Sequence, residues 1–193
     1  MPKSPILIVG TTSDYIDLIS RQFSEEVLFL TDRMERSKAI EPQPPNGTEI
    51  LTNLKNYEET FSALNAHFDK RGGKPAGITC FDCESMRLAA RLAQEMSLRY
   101  PSPESIRICR NKYESKRLWR KAGLPCPRAE LVYDADGALA LQRQMEKTVI
   151  KPIAGSGSEY VFACNTQAEC SAAVANIRFG LSEHKNDPMK PLY

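Results

Sequence analysis

Short unbroken apolar runs alternate with helix-periodic stretches along the first half of the chain. ILIVG at 6–10 is an apolar run closed by glycine, which predicts a strand buried on both faces. The next segment, 11–23, is read as a helix with Ile16, Ile19 and Phe23 on one stripe. VLFL at 27–30 predicts a second buried strand. Residues 31–47 are polar and proline-rich and read as a loop, with a weak strand at 48–51. Tyr57, Phe61, Leu64 and Phe68 recur at helical spacing and predict a helix over 57–70, with Asn56 as its cap and Glu59 three residues on. GITCF at 77–81 predicts a strand. A helix over 84–98 would turn Leu88, Leu92, Ala93 and Met96 inward, and Ser102-Pro103 opens a short helix. Alternation of this kind predicts an α/β domain with a mostly parallel sheet, ending near residue 107.

The second half reads differently. NKYESKRLWRKAG is a basic helix stopped by Gly123 and Pro125. RAELVY at 128–133 is expected as a strand, followed by a helix over 137–146. TVIKP at 148–152 and EYVFAC at 159–164 predict two strands around the turn AGSGS. Thr166 and Glu169 have capping-box spacing, and Cys170, Ala173, Val174 and Ile177 form the apolar stripe of the helix behind them. The last ten residues read as a loop. The division expected is 1–107 and 108–193.

Composition adds mainly exclusions. The 193 residues carry a net charge of +2 and are 41% hydrophobic, which is globular usage with no bias toward nucleic acid or an anionic membrane. No apolar run approaches membrane-spanning length, and the N-terminus lacks a signal-peptide pattern, so a cytoplasmic location is expected. The six cysteines are Cys80, Cys83, Cys109, Cys126, Cys164 and Cys170. Cys80 and Cys83 form a lone C-x-x-C. With only His67 and His184 elsewhere, buried inert thiols are preferred over zinc or redox chemistry.

The segment VIKPIAGSGSEYVF, 149–162, carries the chemistry. Strand alternation places Val149 and Lys151 on one face and Ile150 on the other. Gly155 and Gly157 let backbone N–H groups approach a phosphate, and Ser156 and Ser158 add hydroxyl donors. A plain hairpin turn remains the alternative. Neither a P-loop nor a G-x-G-x-x-G fingerprint is present.

The order of these parts resembles the ATP-grasp superfamily, the carboxylate–amine ligases that include D-alanine–D-alanine ligase, biotin carboxylase and carbamoyl phosphate synthase. In that family a Rossmann-like domain precedes a motif matched here by Asn111-Lys112, Lys116, Leu118 and Gly123-Leu124-Pro125-Cys126-Pro127. A V-(V/I)-K-P strand and a glycine-rich flap follow, matched by Val149 to Pro152 and by Gly155, Ser156, Gly157 and Ser158. The resemblance implies a pre-ATP-grasp domain followed by the first lobe of an ATP-grasp domain, without the second lobe. It implies Lys112 and Lys151 on the phosphates of ATP, the flap over them, and Val149 against adenine. The implied activity makes an acyl phosphate from a small-molecule carboxylate and ATP, which an amine or thiol then displaces. Mg²⁺ is implied too, with its ligands expected in the second lobe; no metal ligand is assigned to this chain. Two departures stand out. Tyr160 occupies the place of a third flap glycine, and the chain ends at Tyr193 inside a family motif, which is read as truncation.

Two other readings stay open: a nucleotide- or ligand-binding module without catalysis, and a Rossmann-like scaffold binding a partner through its basic helix. For that helix a solvated cationic face with Trp119 packed inward is preferred over nucleic-acid binding. Asp82 and Glu84, past the strand GITCF, suit either a substrate amine or a helix start. Thr11, Thr12 and Ser13 suit ligand contact or a cap. No pattern fixes the oligomeric state, and a homo-oligomer stays open.

Overall fold

The computed structural model describes residues 4–23, 26–145 and 147–183. The chain divides into two compact units, Met1–Ile106 and Arg107–Tyr193.

The first unit holds β1 Ile6–Val9, α1 Ser13–Phe23, β2 Val27–Asp32, α2 Arg33–Arg36, β3 Glu49–Thr52, α3 Tyr57–Arg71, β4 Gly77–Thr79 and α4 Met86–Glu95. The strands form one parallel sheet in the order β3-β2-β1-β4. Side-chain alternation divides its core. Leu7 and Val9 of β1, Leu28 and Leu30 of β2 and Ile78 of β4 meet Leu64 and Phe68 of α3 and Leu88, Ala89, Leu92 and Ala93 of α4. On the other face Ile8, Val27 and Phe29 pack with Ile16 of α1. Both faces are covered, so the central strands are apolar at successive positions rather than alternating.

Two details differ from the pattern-based expectation. Phe23 is 48% exposed, because the cluster beneath α1 is already filled by Ile16 and Ile19 and the helix ends there. The segment 31–47 is not wholly irregular. Asp32 accepts from the amides of Met34 and Glu35 and starts the one-turn α2, and its second oxygen accepts from Leu54 N at 3.2 Å. Arg36, at the end of α2, is buried against Glu49 of β3 at 3.3 Å and donates to Pro42 O, which ties the proline-rich loop to the sheet edge.

The second unit takes in the second half of α5 Pro103–Arg110 and all of α6 Lys112–Lys121, α7 Ala135–Gln142, β5 Thr148–Ile150, β6 Phe162–Cys164 and α8 Gln167–Glu183. β5 and β6 pair antiparallel, with Val149 opposite Ala163. Cys164, Cys170 and Ala173 form the centre of its core, with Leu139, Ile150 and Phe162 packed around them. The capping box is formed in both directions: Glu169 N donates to Thr166 Oγ1 at 3.2 Å, and Thr166 N donates to Glu169 Oε2 at 2.9 Å. The amides of Asn165 and Thr166, both donating to Glu169 Oε2, hold its carboxyl below the ordinary range.

The expected strand at 128–133 is not formed; the segment carries no ladder among the described residues. Pro125 and Pro127 remove two donors just ahead of it, and Leu131 and Val132 are only half-buried, lining a cleft instead. The C-terminal segment 184–193, expected as a loop, lies outside the described residues together with His184.

Candidate functional site

Asn111 sets the geometry of the second unit's cleft. Its side chain accepts from the amides of Tyr113 and Glu114 at 3.1 and 2.9 Å, so α6 begins at Lys112. The amide of Lys112 donates to Ile153 O at 2.7 Å, and its Nζ donates to Gly155 O at 3.1 Å. One lysine therefore joins the start of α6 to the glycine-rich loop through both main chain and side chain. Ser115, one turn on, is buried and donates to Ile108 O at 2.8 Å, which fixes the inner face of the helix.

The loop between β5 and β6 is held in an unusual backbone. Gly155 and Gly157 have φ of +122° and +62°, and Ser158 and Tyr160 lie at +60° and +55°. Positive φ at two non-glycine residues costs of order 1–3 kcal/mol each and needs compensating contacts. One such contact is the packing of the Tyr160 ring against Gly180 of α8, where an added Cβ would overlap it. The loop is further closed by Glu159 N to Ser156 O at 3.2 Å and Val161 N to Ser158 O at 3.3 Å.

A cleft of about 360 Å³ opens beside this loop. Val149, Lys151 and Lys112 line it, with Leu131, Val132 and Met145 on the apolar side. Val149 is 57% exposed and Ile150 packs into the core, so the expected facing of the two neighbours is present. β5 ends at Ile150, so Lys151 extends from the first residue past the strand rather than from within it. Gly155, Ser156, Gly157 and Ser158 do not line the cleft; the loop is connected to it through Lys112.

Lys116 of the quoted motif also lines it, as do Lys147 and Arg128, which were not singled out from the sequence. Lys116 had a readable signal, because it lies four residues after Lys112 on one helix face. Lys147 and Arg128 carry no such signal, and Arg128 stands on an irregular segment where the pattern predicts a strand. Trp119, expected inward, is 47% exposed beside the exposed Leu124, and the amide of Leu124 donates to Trp119 O in the turn that ends α6.

In the first unit the amide of Ser85 donates to Asp82 Oδ1, a turn-closing bond just before α4. Burial pushes the Asp82 carboxyl up. Glu84 lies in the same turn. Thr12 O accepts from Ile16 N at 3.1 Å at the start of α1, with Ser13 the first helical residue, and the hydroxyl of Thr12 lowers the Asp14 carboxyl. The Thr11 hydroxyl is buried with no partner in the structure. Phe81 stacks on Tyr15 with ring centroids 6.2 Å apart.

All six cysteines are free thiols. Cys164 and Cys170 are buried, but Cys83 and Cys109 are exposed, which corrects the expectation of general burial. Among the described residues no cluster of His, Cys, Asp and Glu is arranged to hold a metal ion, and no helix is long and apolar enough to cross a membrane.

No protein-family model matches the chain. It is 25% identical over 173 residues to the uncharacterized protein y4rH of Sinorhizobium fredii, covering 88% of this chain and 35% of that protein. Solved structures give a stronger likeness in shape. N5-carboxyaminoimidazole synthase from Aspergillus clavatus, solved with ADP and 5-aminoimidazole ribonucleotide, matches 92% of this chain with a TM-score of 0.64 and 17% identity. Biotin carboxylase from Campylobacter jejuni, solved with a β,γ-ATP compound, matches 95% with a TM-score of 0.63 and 13% identity. L-amino acid ligase from Bacillus licheniformis matches 92% with a TM-score of 0.60 and 15% identity. These neighbours are ATP-grasp ligases, and the chain has the fold of part of such an enzyme. It spans 43–45% of the length of these three structures.

Proposed function

We propose that the chain is the ATP-binding portion of an ATP-dependent ligase that joins a small-molecule carboxylate to an amine or thiol through an acyl phosphate. The observation that carries this reading is the meeting of Lys112, Lys151 and Val149 in one cleft, with Lys112 also holding the glycine-rich loop at Gly155 O. In this reading Lys112 and Lys151 neutralise phosphate oxygens. The loop from Gly155 through Ser158 covers them, and Val149, with Leu131 and Met145, offers the apolar surface for adenine. Phosphoryl transfer asks a protein chiefly for positioning and charge neutralisation, and this set of residues suits both for a nucleoside triphosphate. Occurrence of the same fold in enzymes solved with ADP and with an ATP compound supports it.

Mg²⁺ does not fit the residues at hand. Among the described residues lining the cleft the one carboxylate, Glu130, accepts from Arg128 at 3.2 Å, and hard divalent cations need several oxygen ligands. No step through the metal is therefore assigned to this chain.

The test is calorimetric titration of the chain with a non-hydrolysable ATP analogue, beside Lys151→Ala. Loss of a charged phosphate contact should weaken binding by about 1.5–3 kcal/mol while the circular dichroism spectrum stays the same. Unchanged affinity would remove Lys151 from the site. No binding by the parent chain would favour the scaffold reading.

A further inference from the structure

The charge lining the cleft is lopsided. Among the described residues, Lys112, Lys116, Arg128, Lys147 and Lys151 line it against one carboxylate, that of Glu130. The unit's other described carboxylates are largely engaged elsewhere. Glu114 accepts from Arg117 at 2.8 Å, Asp134 accepts from Gly137 N at 2.8 Å, and Glu169 closes the capping box. Glu159 sits on the loop and has interactions of its own. Among the described residues, then, the cleft offers cations to a negative charge and little with which to hold a divalent cation.

Resting on the nucleotide-binding reading above, we infer that this chain takes the metal-free form of the nucleoside triphosphate in preference to its magnesium complex. Two physical terms act in the same direction. Mg²⁺ cancels part of the triphosphate's charge, which lowers its attraction to the cationic lining. The bound ion also keeps a hydration shell that it sheds reluctantly, which holds phosphate oxygens away from the lysines. The cation excess replaces the metal as the neutralising partner. Lys116 and Lys147 are the residues that set this preference, because they add charge beyond Lys112 and Lys151.

The experiment titrates the 193-residue chain with a non-hydrolysable ATP analogue at matched ionic strength, once in EDTA and once in excess MgCl₂. Binding should be about tenfold tighter in EDTA, and the difference should shrink with added salt as screening rises. The double variant Lys116→Ala/Lys147→Ala should bind the metal-free analogue more weakly and lose most of the EDTA-to-Mg²⁺ difference. Equal or tighter binding in MgCl₂ would overturn the inference and leave the nucleotide reading standing. Binding in neither buffer would overturn both. An unaltered preference in the double variant would refute the assignment of the preference to these lysines.

Discussion

Cys164 and Cys170 are buried together between β6 and α8, and the Thr148 hydroxyl lies 3.7 Å from the Cys170 sulfur. Burial, and next the Cys170 thiol beside it, pushes the Cys164 thiol up to about 11 from an ordinary 9.0. Burial, and then the Asp82 carboxylate, pushes Cys80 up to about 12. A thiolate is the nucleophile, so these thiols are poorly reactive at neutral pH. Thiol titration of the native protein should show Cys83 and Cys109 reacting fast and Cys164 and Cys170 only on unfolding; fast labelling of Cys164 would contradict its placement in the core. The same shifts carry a sign in stability. Between pH 9 and the raised values the folded state holds protons that the unfolded chain has released, so stability is complete below about pH 9 and falls as pH rises through 11–12. Denaturant midpoints measured across that range should decline, and Cys80→Ser with Cys164→Ser should flatten the decline.

At the scale of elements, legibility followed how local the determining contacts are. Helix stripes and caps were readable because they depend on spacing. The stripe of α3, the capping box of α8 and the Asn56 cap all form. The Glu59 carboxylate, by contrast, accepts from Arg33 and from Asn53 N rather than turning back to Asn56, a tertiary choice that spacing does not encode. Residues 128–133 have strand-like composition but find no partner strand, and pairing is a non-local property. Within the candidate site, Lys112, Val149 and Lys151 were legible, whereas Arg128 and Lys147 depend on how an irregular segment folds over the cleft. Tyr160 was noticed only as a missing glycine; its contact explains it, since the ring packs on Gly180 some twenty residues away in sequence. Gly180→Ala should therefore displace the ring and destabilise the protein by roughly 1–3 kcal/mol, the range for overpacking. Replacing Tyr160 with Gly in the same chain should recover much of that loss in a denaturant melt. If Gly180→Ala proves neutral, the Tyr160 ring does not anchor the loop.

For the whole molecule, the two units carry separate cores and separate candidate chemistry. The parallel sheet of the first buries Leu7, Leu28, Leu30 and Phe29, and its strand order places a switch point between β1 and β4, where open α/β sheets bind ligands at strand ends. Thr11, Asp82 and the Tyr15–Phe81 stack lie at that edge. The cationic cleft belongs wholly to the second unit, since each residue lining it follows Arg107. A ligand that binds only the folded form stabilises the elements it touches by mass action, so nucleotide should protect the second unit. Hydrogen exchange of the chain with and without a saturating ATP analogue should show slower exchange in α6, in β5 and across the loop 151–161. The amides of β1 through β4 should exchange at unchanged rates. Protection at residues 10–13 and 80–85 instead would move the nucleotide to the sheet edge of the first unit and remove Lys112 and Lys151 from the phosphates.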